Sequence, residues 1–170
     1  MSPNTLDKTA RNCGRLGGSM ELGMIGLGRM GGNMATRLVR GGHRVVAHSR
    51  TKARVDEARA GGAEAAYATA DLVRALHPPR VIWLMVPAGD ATDAVLEDLL
   101  PRLAPGDLIV DGGNSYYKDT VRRAARATSL GLRYVDVGTS GGVWGLEGGY
   151  SMMVGGAPED VERLRPALET

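Results

Sequence analysis

Six consecutive residues constrain the fold of this chain most: Gly26-Leu27-Gly28-Arg29-Met30-Gly31. They match the spacing GxGxxG, and their surroundings give that spacing weight. Apolar Leu22–Ile25 precedes them as a short strand. Behind them, Met30–Val39 has helical periodicity, with Met30, Met34, Leu38 and Val39 near one face. A strand that passes through three close glycines into a helix suits an anion at the helix start. Gly26 permits the tight turn, Gly28 lets a pyrophosphate approach the backbone, and Gly31 lets helix and strand pack closely. Unpaired amides and the partial positive charge of the helix start supply the attraction. Gly26, Leu27, Gly28, Arg29, Met30 and Gly31 are therefore candidate cofactor-binding residues, against the plainer alternative of a glycine-rich turn without a ligand.

Strand and helix patterns alternate along the rest of the chain. Arg44–His48 reads as a second strand, and Lys52–Ala60 as a helix stopped by Gly61-Gly62. Ala63–Ala66 reads as a short third strand, with Asp71 or Thr69 capping a helix through Leu76. After Pro78-Pro79, Val81–Val86 is a continuous apolar run suited to a central strand covered on both faces. Ala91–Leu103 follows as a helix, Leu108–Val110 as a strand, Lys118–Ser129 as a helix and Arg133–Val137 as a sixth strand. Tyr150–Val154 forms a seventh strand and Pro158–Leu168 a helix that opens on proline. This alternation predicts an α/β fold: a doubly wound, mostly parallel, Rossmann-like sheet in a single domain. The loops that follow the strands then gather at one edge.

Composition removes several classes. The 170 residues suffice for one domain with its own core, and the absence of Phe leaves that core to Val, Leu, Ile, Ala and Met. A net charge of +2, with scattered Arg, argues against a nucleic-acid partner. A single Cys13 cannot form an intramolecular disulfide, and three His without ligand spacing point to no metal. No apolar run approaches the ~20 residues of a membrane span. Met1–Ser19 is polar and has no apolar signal core, so residues 1–19 are expected to be a disordered extension before a domain over 20–170. A cytoplasmic location is the default expectation.

The end of the second strand bears on the cofactor. NAD sites usually place an acid there, about 20 residues after the glycines, to bind the ribose hydroxyls. This chain has His48-Ser49-Arg50-Thr51 instead. A carboxylate would repel a 2′-phosphate, whereas Arg50 can grip one bidentately, with Ser49 and Thr51 adding neutral hydrogen bonds. NADP is expected over NAD, unless Arg50 is simply a solvated loop residue.

Four motifs in order carry a resemblance. Met24-Ile25-Gly26-Leu27-Gly28-Arg29-Met30-Gly31-Gly32-Asn33-Met34 resembles the opening of the 6-phosphogluconate dehydrogenase and β-hydroxyacid dehydrogenase superfamily. Asp111-Gly112-Gly113-Asn114-Ser115 resembles the phosphogluconate dehydrogenase branch. Val86-Pro87-Ala88-Gly89 and Gly138-Thr139-Ser140-Gly141-Gly142-Val143-Trp144-Gly145-Leu146-Glu147-Gly148-Gly149-Tyr150 resemble its shorter bacterial members. The resemblance implies oxidation of 6-phosphogluconate to ribulose 5-phosphate and carbon dioxide, with hydride passing to the nicotinamide. It implies that Asn114 meets both nicotinamide and substrate, and that Ser140, Gly141 and Gly142 contact the substrate. Val86, Pro87 and Ala88 would pass beside the cofactor, and Ser49, Arg50 and Thr51 would meet its 2′-phosphate. Several shorter members carry Asp near position 49 and are associated with NAD, so Ser49 departs from that pattern.

The same resemblance places the catalytic lysine and its partner glutamate beyond Thr170, in a helical domain that also makes dimer contacts. A cofactor-binding part without the proton chemistry is therefore expected, with little turnover of its own and with the full-length protein a homo-oligomer. Asp111 reads as a turn-maker or as a general base, Asp136 as structural, and His43 as a local cap of the preceding helix end or a locally packed residue. Lys118 and Glu147 read as solvated, while Trp144 and Tyr150 suit packing against a neighbouring domain. Two other functions fit the same fold: a β-hydroxyacid dehydrogenase of the 3-hydroxyisobutyrate type, and a non-catalytic dinucleotide-binding module.

Overall fold

The computed structural model describes residues 18–170. The expected extension over 1–19 and Cys13 fall almost wholly outside the described residues; Gly18 and Ser19 lead directly into the first strand. Seven strands form one sheet: β1 (Glu21–Ile25), β2 (Arg44–His48), β3 (Glu64–Ala66), β4 (Val81–Leu84), β5 (Leu108–Asp111), β6 (Arg133–Ser140) and β7 (Ser151–Gly155). Their order is β3-β2-β1-β4-β5-β6-β7, with every neighbouring pair parallel except β6 and β7. The helices are α1 (Arg29–Arg40), α2 (Lys52–Ala60), α3 (Thr69–Ala75), α4 (Asp90–Leu99), α5 (Tyr117–Ser129), α6 (Gly145–Gly148) and α7 (Pro158–Leu168). Two short 3-10 turns, Leu100–Arg102 and Gly142–Trp144, complete the elements.

The apolar strands are apolar because both faces are covered. Leu22, Met24, Val45, Val81, Trp83, Val110 and Val137 point to the side packed by Met34 and Leu38 of α1, Val55 of α2 and Leu164 of α7. Ile25, Val46, Ile82, Leu84 and Ile109 point to the other side, against Leu72 of α3, Leu96 and Leu99 of α4 and Ala127 of α5. Neighbouring residues along one strand therefore feed opposite cores, which explains why the period-2 alternation of a half-exposed strand is missing. Each fully buried aliphatic side chain contributes about 1.5–3 kcal/mol of burial.

Several expected boundaries shift. The helix after β3 is not capped by Thr69 or Asp71: Ala68 takes the cap position, Thr69 is already helical, and Asp71 lies in the first turn. The apolar run that begins at Val81 ends as a strand at Leu84, although Met85 still donates its amide to the Ile25 carbonyl at 2.7 Å and lies against the glycine turn. The helix from Asp90 tightens into a 3-10 turn at Pro101, whose ring cannot continue the hydrogen-bond ladder. β6 continues to Ser140, three residues beyond the expected end at Val137, since β7 pairs with it antiparallel as far as Ser140↔Ser151.

His43, read as a local cap or a locally packed residue, instead joins distant segments: Nδ1 accepts the Met20 amide at 3.1 Å, and Nε2 lies 2.7 Å from the Thr170 hydroxyl. Among the described residues, no helix is long and apolar enough to cross a membrane.

Candidate functional site

The strand order reverses between β1 and β4, and at such a switch point the loops after the strands' C-terminal ends diverge to leave a crevice. The glycine turn lies on one side of it. Gly26 has φ +97°, and a Cβ there would strike the Met85 carbonyl. A Cβ on Gly31 would run into the carbonyl of Gly26. Around Gly28 the opposite holds: a Cβ would meet nothing within 4 Å. Two glycines therefore let backbone pack on backbone, and the middle one faces open space. Helix α1 starts at this point with no side-chain cap and no acid in its first turn. Arg29 is exposed, Met30 is half-buried, and Leu27 packs in the core, so only the backbone of Leu27 can meet a ligand. Arg54 of α2 reaches back to the Leu27 carbonyl at 3.4 Å.

Beyond β2 lies a second cluster of polar groups. Gly26 N–H donates to the His48 carbonyl at 2.9 Å, so the glycine turn and the end of β2 are joined directly. His48 is buried, and its Nδ1 lies 2.9 Å from the Ala66 carbonyl, tying the ends of β2 and β3 together. Ser49, Arg50, Lys52 and Tyr67 line one pocket there. Arg50 is exposed and forms no ion pair with any described residue. The Lys52 ammonium lies 5.6 Å from the centre of the Tyr67 ring. Tyr67 in turn donates to Asp56 at 2.6 Å, a bond that raises its phenol pKa. Thr51 stands at the cap position of α2, with its amide 3.4 Å from the Ser49 hydroxyl. The pocket thus holds two cations, a hydroxyl and an exposed aromatic face.

Across the crevice, the loops after β4 and β5 touch. A Cβ on Gly113 would lie 2.6 Å from the Val86 carbonyl, which explains the glycine there. Gly112 donates to the Leu84 carbonyl at 2.9 Å. Val86 is half-buried, while Pro87 and Ala88 are exposed at the rim. The buried Thr92 hydroxyl donates to the Pro87 carbonyl at 3.0 Å and holds that loop from below.

Asp111 is fully buried, and its oxygens are occupied. It accepts from Gly113 N–H at 3.1 Å, the Ser115 hydroxyl at 2.8 Å and the Tyr134 hydroxyl at 2.9 Å. A carboxylate so engaged is an anchor for the loop, and the turn-maker reading holds over the general base. Burial, followed by the charge of Asp111, pushes the Tyr134 phenol far above its ordinary value. Burial and the same charge also raise Asp136, which accepts from Thr120 at 3.3 Å in a structural setting.

Asn114 adopts φ +56°, in the left-handed region that asparagine tolerates better than most residues. Its side-chain amide is paired at both ends with the backbone of one residue of β6: Oδ1 accepts Thr139 N–H at 2.7 Å, and Nδ2 donates to the Thr139 carbonyl at 3.1 Å. This residue stands at the crevice rim, but its bonds go to the strand that ends in Ser140. Ser140, Gly141 and Gly142 are exposed, with φ +141° and +50° at the two glycines. The chain then folds into α6, which Arg37 of α1 grips through the carbonyls of Leu146 and Glu147. Glu147 is exposed and pairs with Arg40. Trp144 is 82% exposed, and Tyr150 is half-buried beneath the loop.

All the expected site residues therefore border one edge of the sheet, in two groups on either side of β1. Sequence reasoning missed Lys52, Tyr67, Arg54 and Arg123. Parallel pairing of His48 with Ala66 places Tyr67 beside Ser49, a signal that the strand order carries.

Comparison with known proteins gives the family and agrees with the fold. Residues 21–170 match the family of the NAD binding domain of 6-phosphogluconate dehydrogenase. An NAD(+)-dependent, decarboxylating 6-phosphogluconate dehydrogenase from Haloferax volcanii is 48% identical over 150 residues, which are 88% of this chain and 49% of that protein. Plasmodium falciparum 6-phosphogluconate dehydrogenase, solved with NADP+ and with 6-phosphogluconate, superposes with a TM-score of 0.81 at 30% identity, over 88% of this chain and 33% of that one. A 3-hydroxyisobutyrate dehydrogenase from Mycobacterium tuberculosis superposes with a TM-score of 0.80 at 28% identity, over 89% of this chain and 51% of that one. The chain spans about half the length, or less, of the relatives it matches.

Proposed function

Because the chain belongs to the family of NAD binding domains of 6-phosphogluconate dehydrogenase, we propose that it is the coenzyme-holding part of a decarboxylating enzyme acting on a phosphorylated sugar acid, 6-phosphogluconate. The open side of Gly28, set between two glycines that are packed tight, carries this reading. It gives the amides of the α1 start an unobstructed approach to a pyrophosphate.

NADP is the coenzyme that the residues favour. No carboxylate stands at the end of β2, where Ser49-Arg50-Thr51 follow His48, and Arg50 and Lys52 bring two positive charges to the place where the adenosine ribose would lie. Val86, Pro87 and Ala88 border the path toward the nicotinamide end. A bound nicotinamide would supply the hydride acceptor for oxidation at C3 of the sugar acid, a reaction that with loss of carbon dioxide would give ribulose 5-phosphate. Ser140 offers a hydroxyl to the substrate, and the amides of Gly141 and Gly142 can meet an oxyanion. Asn114 supports that loop through Thr139 rather than acting on protons. Asp111 is spent on its own loop, so the proton transfers belong to groups that the described crevice does not contribute. General acid–base help is worth about 10²–10⁴-fold in rate, and the 170-residue chain should bind coenzyme with very low turnover. A domain over 20–170 within a longer homo-oligomeric enzyme fits these features.

Titration with NADPH and NADH tests the reading. NADPH should bind more tightly, and Arg50→Ala should weaken NADPH by about 30-fold, equivalent to ~2 kcal/mol, while leaving NADH unchanged. Equal loss for both coenzymes would remove Arg50 from the phosphate site. A 3-hydroxyisobutyrate-type activity is the second reading, favoured by the superposition on the mycobacterial enzyme. Binding of 3-hydroxyisobutyrate but not 6-phosphogluconate to the NADPH-loaded chain would select it.

A further inference from the structure

Arg123 lies in the middle of α5, where the solvated face of a helix would ordinarily carry such a residue, yet only 3% of it is exposed. Its guanidinium fans out to three segments. Nε donates to Asp93 on α4 at 2.8 Å. Nη2 donates to the Gly89 carbonyl, at the end of the loop after β4, at 3.0 Å. Nη1 donates to the Ser115 hydroxyl, in the loop after β5, at 2.9 Å. Asp111 is a more distant partner, 3.5 Å from Nη1, and already has three other donors. The group is thus not mainly a counter-ion for the buried carboxylate. Its shortest bonds go to the two loops and to the helix that follows the first of them.

A guanidinium suits this task because it is planar and rigid, with donors diverging in fixed directions. The Gly89 carbonyl already accepts the amides of Thr92 and Asp93 as α4 begins, so the third donor comes in against a fixed acceptor. The same two loops meet where Gly113 backs onto the Val86 carbonyl. Their separation is therefore set from both sides: by backbone contact at the rim and by Arg123 behind it.

We propose that Arg123 is a positioning residue for the nicotinamide end of the coenzyme, holding the loops Val86–Gly89 and Asp111–Ser115 at the spacing that the ring requires. The inference rests on the coenzyme reading above. It assigns Arg123 no contact with the coenzyme and no effect on the adenosine end, which lies across β1.

That asymmetry provides the test. NADPH and 2′,5′-ADP, a probe with the phosphorylated adenosine but no nicotinamide, are titrated into the wild-type chain, Arg123→Lys, Arg123→Gln and Ser115→Ala. Enhancement of NADPH fluorescence on binding is recorded as a report of the nicotinamide surroundings. Arg123→Gln should weaken NADPH by about tenfold and reduce the fluorescence enhancement, with 2′,5′-ADP affinity held within about twofold. Lysine, which retains charge but not the fork, should fall in between. Equal weakening of both ligands, or of neither, overturns the proposal. If both Arg123 variants fail to fold, Ser115→Ala decides: it removes one of the loop bonds, and an unchanged ratio of the two affinities then overturns the proposal. Failure of the wild-type chain to bind either ligand would instead sink the coenzyme reading itself, and the inference with it.

Discussion

The two ends of the crevice are built in opposite ways. Past β2, among the described residues, Arg50 has no ion-pair partner and Lys52 meets only an aromatic ring, and Arg50, Lys52 and Tyr67 are exposed. Past β5, Asp111, Ser115, Arg123, Tyr134 and Asn114 are locked into one another or into β6. Polar groups at the first end keep their hydrogen-bonding capacity for a ligand. Those at the second end spend it on holding loops in place. Loose charges suffice to grip a phosphate, because Coulombic attraction falls slowly with distance. A ring that must present one carbon to a substrate needs walls held to fractions of an ångström.

Substitutions should therefore separate into losses of stability and losses of affinity. The largest effect is expected for Asp111→Ala, which strands the Tyr134 hydroxyl and removes one buried partner of Arg123. It should cost about 3–5 kcal/mol in a urea titration; a change below ~1 kcal/mol would mean that the locked end is not locked. Next comes the glycine pair in the turn. Gly31→Val should lower the melting temperature by roughly 6–12 °C, from about 3 kcal/mol of overpacking. Gly28→Ala should leave it within about 2 °C yet weaken NADPH at least tenfold, because the added methyl enters open space. Loss of stability in Gly28→Ala would break the contrast. At the open end, Ser49→Asp should shift preference toward NADH by roughly tenfold, with stability unchanged within about 0.5 kcal/mol.

The smallest effect concerns acid. Hydrogen bonds from Arg123, against the opposing cost of burial and with help from Arg122, hold the Asp93 carboxyl down at about 2, below its ordinary 3.8. A depressed folded pKa adds stability that is complete above the ordinary value and disappears as the pH falls through the lower one. Thermal unfolding followed from pH 5 to pH 2.5 should lose most of this part between pH 4 and pH 2.5. Asp93→Asn should flatten the profile there; an unchanged slope would place the acid sensitivity elsewhere.

The open end was far more legible in the sequence than the locked one. Glycines, an absent acid and a strand-end arginine are local signs, and helices such as Lys52–Ala60 and Pro158–Leu168 fall between Gly-Gly or Pro punctuation. The bonds of Asn114 to Thr139 join residues 25 apart, and those of Arg123 to Gly89 join residues 34 apart. Spacing alone cannot reveal such partners. Arg123 in particular carries no local mark that separates it from its exposed neighbour Arg122. Helix α6 was missed because Gly145 and Gly148 disfavour helix on propensity, and the turn is held by Arg37 from another helix.

The uncapped beginning of α1 has a further meaning. Four amides that need an acceptor receive none from a neighbouring side chain, so the first turn of that helix is chemically unfinished until an anion arrives. A saturating coenzyme then acts as a missing piece of secondary structure. At a hundred times its dissociation constant it would add about 2.7 kcal/mol to folding, and the gain in amide protection should be greatest in the peptide carrying Gly28 and its successors.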